Sequence, residues 1–379
     1  MKDSVKILLV GVGGYGANYL NSLLDKNDPK YRIEGIVEPY PERSERIGEA
    51  IDKGVPLYNS MTDFYAEHTA DLAVISTPIH LHTPMILEAL ANNSNVVCEK
   101  PLCGDEKDIE KLIEARDKAG KFVFIGYQWS HSEAVLELKK DIMAGVLGKP
   151  ILLKAMRFSP TNHAYYQRGI GWAGRLTSKN GAVIRDSIAN NAGAHNLHNM
   201  FFILGDTIDT AKMPKTIESK VYRANDIESF DTAEIYCTNE DGSKVVYLAS
   251  HAANIKRAPE SEYRFEKGTV YFSDVNGDGK PEFYADLNDG TRKIYGNPSS
   301  GDLRKLYIAA DNILNGTNTV YCGIEAASVH TRVIAAIHEQ HPVIEQFPHE
   351  MLEVIVEKDQ PRTVCKGLAE KYIEIYESL

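Results

Sequence analysis

Ile7-Leu8-Leu9-Val10-Gly11-Val12-Gly13-Gly14-Tyr15-Gly16 is an apolar run that ends in glycines spaced G-x-G-x-x-G. A short apolar run bounded by glycine reads as a buried strand. From Tyr15 to Leu24, the apolar residues Tyr15, Tyr19, Leu20, Leu23 and Leu24 recur at helical spacing. The glycines therefore fall on a strand-to-helix turn, the context in which this spacing carries meaning. Gly11 permits the tight turn, Gly13 the approach of a pyrophosphate, and Gly16 close packing of helix on strand. Gly14 and Tyr15 complete the candidate cofactor loop, and amides at the helix start would face phosphates. Arg32 to Val37 is a second strand and ends at Glu38, 22 residues after Gly16. An acid there accepts hydrogen bonds from ribose hydroxyls and repels a 2′-phosphate, which favours NAD over NADP.

The chain has 379 residues, enough for two domains, and is 43% hydrophobic and 25% charged, as a globular protein should be. A formal charge of −11 argues against nucleic acid or an anionic membrane surface as partner. No apolar run reaches the ~18 residues of a membrane span. Met1 to Lys6 leads straight into the first strand, which leaves no room for a signal peptide. Five scattered cysteines make no disulfide framework. A cytoplasmic home is expected.

Up to residue 127 strands and helices alternate. Strands are expected at Val5–Val10, Ile33–Val37, Leu72–Ser76, Asn95–Cys98 and Phe122–Ile125. Helices are expected at Pro41–Asp52, Met61–Glu67, Thr83–Ala91 and Lys107–Ala119. Such alternation means βαβ units and a parallel sheet, whose ligands bind at the carboxyl ends of the strands. Thr77-Pro78 and His82 follow one strand end; Glu99-Lys100-Pro101 follows the next. Pro101 favours an extended or turn conformation at Lys100, which would project into the crevice.

The G-x-G-x-x-G loop, Thr77-Pro78 with His82, and Glu99-Lys100-Pro101 together resemble the glucose–fructose oxidoreductase / inositol dehydrogenase / rhizopine-catabolism family. The resemblance implies an α/β protein with an N-terminal Rossmann domain, here 1–127. A C-terminal α+β domain, here 128–379, would carry a large, mostly antiparallel open sheet. It implies NAD (NADP less favoured), with Thr77, Pro78, His82 and Glu99 joining the cofactor set. It places the lysine of the motif, matched by Lys100, at the nicotinamide and the substrate.

Beyond Gly126-Tyr127-Gln128-Trp129, a helix Glu133–Ala144 stops at Gly145, and a strand Pro150–Phe158 follows. The next stretch is a long loop bearing Asn162, His163, Tyr165, Tyr166, Arg168, Trp172 and Arg175. Aromatic faces and planar donors at this density suit a sugar or cyclitol ring. Gln128, Tyr165, Tyr166, Arg168 and Trp172 are the candidate substrate contacts. Asp186 to Gly205 forms a second centre, in which Asn191, His195, His198 and Asn199 are expected near one helix face. In the resembling family a D-x-x-x-H pattern occupies this helix, and its histidine is the general acid/base. His195 matches the histidine, and Asn191 stands where the aspartate is expected.

His195 and His198 show no third ligand, so no metal is expected. Strand signals fill 214–296, including Asp231–Cys237, Lys244–Ser250, Tyr263–Phe265, Thr269–Phe272 and Glu282–Ala285. Asn239 to Gly242 reads as a hairpin turn. Asp274-Val275-Asn276-Gly277-Asp278 mimics the start of a calcium loop, but its twelfth position is Ala285, so a hairpin turn is the better reading. Helices are expected at Asp302–Leu314, Ile324–Glu339 and in the tail, 366–379, whose placement is left open.

The chemistry expected is hydride transfer between nicotinamide and a secondary alcohol of a sugar, sugar derivative or cyclitol. His195 would take the hydroxyl proton, and Lys100 would stabilise the developing charge. Two other readings are a glycoside-processing enzyme that oxidises its substrate only transiently, and a ligand sensor without turnover. An apolar face on the open sheet suggests a homodimer or homotetramer.

Overall fold

Short, mostly apolar strands need cover on both faces, and they form one parallel sheet. The computed structural model describes residues 2–168, 171–255, 257–275, 277–301 and 303–379. Its first strands and helices are β1 (Val5–Val10), α1 (Ala17–Lys26), β2 (Tyr31–Val37), α2 (Ile47–Asp52), β3 (Leu57–Tyr58), α3 (Met61–Glu67), β4 (Leu72–Ile75), α4 (His82–Ala91), β5 (Asn95–Cys98), α5 (Asp108–Ala119) and β6 (Val123–Ile125). The strands pair in the order β3-β2-β1-β4-β5-β6, all parallel. That is the doubly wound order, with its reversal between β1 and β4. The helix expected at Pro41–Asp52 is divided: Pro41–Arg43 is a 3₁₀ turn, and Ser44 is extended before α2. β3 is a strand that the alternation did not reveal.

The remaining elements are α6 (Glu133–Met143), β7 (Pro150–Phe158), α7 (His163–Gln167), α8 (Ala194–Ile203), β8 (Thr216–Arg223), β9 (Thr232–Thr238), β10 (Lys244–Ser250), β11 (Glu260–Phe265), β12 (Gly268–Ser273), β13 (Glu282–Leu287), β14 (Arg292–Gly296), α9 (Arg304–Asn315), α10 (Ile324–Gln340), β15 (Glu345–Gln346), β16 (Leu352–Glu357), β17 (Gln360–Cys365) and α11 (Leu368–Ser378). The chain divides into two units, Met1–His131 with Gly301–Ser328, and Ser132–Ser300 with Val329–Leu379. The expected boundary at 127/128 thus falls at 131/132, and the second unit is interrupted by a segment that belongs to the first. Burial accounts for the interruption. Leu306, Ala309 and Ala310 of α9 join Val5, Ile7 and Leu9 of β1 in one core, supplying cover that the parallel sheet requires.

In the second unit nine strands run β14-β13-β12-β11-β7-β10-β9-β8-β15. Most pairs are antiparallel; β7–β10 and β8–β15 are parallel. The hairpin expected at Asn239–Gly242 is present, with Gly242 at φ +83 and Asn239 N–H donating to Ser243 O at 2.9 Å. In the calcium-like stretch, Asp274 accepts from the amides of Asp278 and Gly279 between β12 and β13. Asn276 of that stretch, like Asp302 of the expected helix and Met1, lies outside the described residues. The tail helix finds its place on the sheet. Leu368, Tyr372 and Tyr376 of α11 share a core with Leu152, Met156 and Phe158 of β7 and Val246 and Leu248 of β10. Lys154 Nζ reaches Tyr376 O at 2.8 Å, and Lys371 pairs with Glu234 at 2.8 Å. The sheet face expected to stand open for self-association is therefore covered in part by the chain's own tail.

Tyr372 stacks on Phe158 and is buried, while its hydroxyl has no hydrogen-bond partner among the described residues. Tyr372→Ala should cost about 3–5 kcal/mol through lost burial and a cavity. Tyr372→Phe should be neutral or stabilising, because it removes an unsatisfied hydroxyl. Thermal unfolding of both variants, followed by circular dichroism, checks the pair of outcomes.

Candidate functional site

In the first unit, the reversal of strand order brings the end of β1 against the end of β4. Gly11 has φ +81, and a Cβ there would meet Ser76 O at 2.7 Å. A Cβ on Gly16 would lie 1.8 Å from Gly11 O, so no larger residue fits where α1 leaves the turn. Nothing lies within 4 Å of a Cβ on Gly14, and no side chain caps the start of α1. The loop is thus open to an anion beside an uncapped helix terminus. Glu38 is buried at the end of β2 beside it. Its Oε2 accepts from Val12 N (2.8 Å) and Gly13 N (3.0 Å), and its Oε1 from Tyr40 N (3.0 Å). The carboxylate expected to meet a ribose therefore also fixes the glycine loop. Three donors leave about one of its four acceptor positions for a hydroxyl. An open glycine turn, an uncapped helix and a fixed negative charge fit a dinucleotide with free ribose hydroxyls.

The other expected cofactor residues cluster behind this loop. Thr77 Oγ1 lies 3.3 Å from Met85 Sδ, and Pro78 leads into the turn that starts α4. The His82 ring lies between two carbonyls, Nδ1 2.7 Å from Pro101 O and Nε2 2.9 Å from Thr77 O. It clips the loop after β4 to the loop after β5, where the Lys100–Pro101 peptide is cis. Burial lowers the pKa of His82, and the two carbonyls oppose that effect. Glu99 points inward. Its Oε1 accepts from Tyr19 OH at 2.6 Å and pairs with Lys305 Nζ at 2.7 Å, and its Oε2 lies 3.3 Å from Lys100 N. Burial raises the pKa of Glu99, but the Lys305 charge, with hydrogen bonds from Lys305 and Tyr19, outweighs it and holds the carboxyl below its usual value. Lys305 Nζ also lies 5.2 Å from the Tyr15 ring and 5.6 Å from the Tyr19 ring. Tyr15 OH donates to Gln128 Oε1 at 3.2 Å, so Gln128, expected at the substrate, holds the cofactor loop. Lys100 is half-buried at the end of β5.

Lys305 was not singled out from the sequence, and Tyr19 was read only as an apolar residue of the first helix. The signal was present for Lys305: it shares the apolar face of α9 with Leu306, Ala309 and Ala310, where a charge is out of pattern.

In the second unit, the expected long loop contains the short helix α7, started by the Asn162 side chain accepting from Tyr165 N. Arg168 lies on the Tyr165 ring at 3.4 Å and near Trp172 at 5.2 Å. Tyr165 and Tyr166 meet edge to face at 5.2 Å, and Tyr165 lies 5.6 Å from the His251 ring. Tyr165 OH accepts from Asn191 Nδ2 at 3.0 Å. Asn191 is not on a helix, because α8 begins only at Ala194. It sits in a turn closed by Asn191 N to Ser187 O at 2.9 Å. The single helix face expected for four residues is also divided. His195 is half-buried in the first turn of α8, whereas His198 and Asn199 are buried. His198 lies on Phe202, and Asn199 Nδ2 donates to Tyr263 OH. Lys100 belongs to the first unit and His195 to the second. Among the described residues no group of three or more His, Cys, Asp or Glu could hold a metal, and no helix is long and apolar enough to cross a membrane.

Comparison with known proteins matches residues 5–127 to an oxidoreductase family with an NAD-binding Rossmann fold. Inositol 2-dehydrogenase 4 of Saccharopolyspora erythraea is 29% identical over 150 residues, 39% of this chain and 44% of that protein. The 2,7-anhydro-N-acetylneuraminate hydratase of Mediterraneibacter gnavus is 26% identical over 154 residues, 41% of this chain and 40% of that protein. The match thus spans less than half the length of these relatives. The WlbA dehydrogenase of Bordetella pertussis, solved with NADH and UDP-GlcNAcA, shares the fold at a TM-score of 0.71 and 18% identity, covering 89% of this chain and 97% of that one.

Removing Lys305 leaves the Glu99 carboxylate buried without its cation. Lys305→Met should destabilise the protein by about 3–5 kcal/mol, and Glu99→Gln in the same chain should recover part of that loss. The depressed carboxyl stabilises above its unfolded pKa, so this contribution should fade as pH falls through the acid range. Unfolding midpoints of wild type, single and double variants from pH 7 down to about pH 3, below the ordinary carboxyl pKa, check both outcomes; identical pH profiles would count against the pair.

Proposed function

Because the chain belongs, through its NAD-binding Rossmann domain at residues 5–127, to the Gfo/Idh/MocA oxidoreductase family, we propose that it is an NAD-dependent oxidoreductase acting on a secondary alcohol of a sugar, sugar derivative or cyclitol. The observation that carries this reading is the first unit's strand-order reversal. There an open glycine turn, a fixed Glu38 and Lys100 occupy the carboxyl ends of β1, β2 and β5. The inositol dehydrogenase relative supports the substrate class. When bound, the nicotinamide supplies the hydride acceptor. The chain supplies the rest. The Lys100 ammonium donates to the substrate oxygen and stabilises charge that grows as the proton departs. The His195 imidazole accepts that proton, imidazole being the side chain most often used as a general base. Tyr165, Tyr166, Arg168, Trp172 and Asn191 orient the rest of the substrate. Glu38 turns away a 2′-phosphate by charge.

Similarity to the hydratase gives a second reading some weight. In it oxidation is transient, elimination follows, and the hydride returns to the product. A homodimer or homotetramer and a cytoplasmic location remain part of the proposal.

A screen of polyols, sugars and glycosides with NAD, reading NADH and bond cleavage together, separates the readings: net NADH supports the first, cleavage without NADH the second. With a substrate in hand, Lys100→Ala and His195→Ala should each lower kcat by roughly 10²–10⁴-fold, measured by steady-state NADH formation. Variants that keep full turnover would remove these two residues from the chemistry. Glu38→Ser should raise NADP use relative to NAD; tight NADPH binding by the wild type with no NAD affinity would refute the role of Glu38.

A further inference from the structure

Several arginines in the second unit are paired with carboxylates, and Arg223 donates to the Ile227 carbonyl. Arg257, Arg264, Arg292 and Arg362 each hold a carboxylate, and Arg175 pairs with Glu228. Arg157 and Arg168 differ. Both are half-buried, and among the described residues neither guanidinium forms an ion pair or a hydrogen bond to protein. Arg157 Nε is shielded from solvent with no partner, as is the Tyr166 hydroxyl. A partly desolvated guanidinium with its donors unused is costly unless something meets it.

The two arginines serve one place. Arg157 of β7 stands opposite Ala249 of β10, two residues before His251, and Arg168 lies on the Tyr165 ring, itself 5.6 Å from the His251 ring; burial, with a smaller contribution from both arginines, lowers the pKa of His251 to about 4. Arg157 also acts on Tyr247, whose hydroxyl donates to Gly193 O at 2.9 Å, one residue before α8. Arg168 lies on Tyr165, whose hydroxyl accepts from Asn191. Tyr247 and Tyr165 thus both hold the segment that leads into α8, through Gly193 O and Asn191 Nδ2. Nearby carboxylates do not cancel them by pairing. Asp186 accepts from Gly174 N at 2.6 Å, and Asp231 accepts from Ala224 N, Asn225 N, Asn225 Nδ2 and Thr232 Oγ1.

From this unpaired pair we infer that the second unit reads an anionic group on its substrate, a carboxylate or a phosphate, through Arg157 and Arg168. The inference rests on the substrate-binding role proposed above and narrows it: the substrate is a sugar acid or a sugar phosphate rather than a neutral polyol. Guanidinium forks match the planar oxygens of a carboxylate or the edge of a phosphate.

Isothermal titration calorimetry on the full-length protein with NAD tests it. D-glucuronate and D-glucose 6-phosphate are compared with D-glucose, and D-galacturonate with D-galactose. At least one acid should bind about tenfold or more tighter than its neutral partner, and the two acid arms tell carboxylate from phosphate. The acid-to-neutral ratio should fall towards one in Arg168→Gln and in Arg157→Gln. Because Arg157 is half-buried, Arg157→Lys is included; it keeps the charge without the fork and should retain part of the preference. No acid preferred over its partner, failure of all these ligands to bind, or a preference that survives the double Gln variant would overturn the inference. NADH is read on the same samples. Acid preference without NADH leaves this inference standing while failing the dehydrogenase reading; NADH from neutral sugars alone does the reverse.

Discussion

The ion pair between Glu99 and Lys305 is the constraint around which the first unit is arranged. Three chain segments far apart in sequence meet there: Tyr19 from α1, Glu99 from the loop after β5, and Lys305 from α9. A buried pair of this kind is poor evidence of net stability, since desolvation offsets much of the attraction. Its effect is on arrangement. With Glu99 held by Lys305 and Tyr19, the following residue, Lys100, leaves the strand in one direction, and His82 clips the next carbonyl from the opposite loop. The same cation lies near Tyr15 and Tyr19, so the helix carrying the glycine turn is tied to the loop that presents the lysine. Losing either ion would leave the other buried and unpaired, so the pair adds a polar tie to the apolar cover by which α9 joins this unit, nearly 180 residues after β6.

Glu38 shows the same economy. The carboxylate proposed to face the dinucleotide ribose also accepts from the amides of Val12, Gly13 and Tyr40. Replacing it would therefore change loop order as well as cofactor preference. A Glu38 variant read only by affinity would mix the two effects, whereas the NADP-to-NAD ratio isolates the charge.

What the sequence disclosed follows the range of the interactions involved. The glycine turn, β1, β5 and β7 were readable because apolar runs, glycines and helix stops are local signals, and β7 falls at the expected Pro150–Phe158. The membership of α9 was not readable, because it depends on which sheet face lacks cover. The start of α8 was misplaced for a local reason. Asn191 was expected on the same helix face as His195, but Ser187 accepts from the Asn190 and Asn191 amides and holds that stretch in a turn. The partners of Glu99 and Glu38 were invisible for the opposite reason, since an acid's expected ligand says nothing about the protein donors it already has.

Asn191 draws these threads together in the second unit. The family resemblance leads one to expect an aspartate at this position, and an aspartate could not donate to Tyr165 OH as the Asn191 amide does. It would also add a negative charge beside Tyr165, on whose ring Arg168 lies. The amide therefore does two things at once: it ties the aromatic loop to the approach to α8, and it leaves the Arg168 charge without a carboxylate. The departure from the expected residue and the unpaired arginine are then one feature of the site. A site that had lost its acid merely by decay would have no reason to keep a half-buried guanidinium aligned between Tyr165 and Trp172; a site whose negative charge arrives with the substrate would.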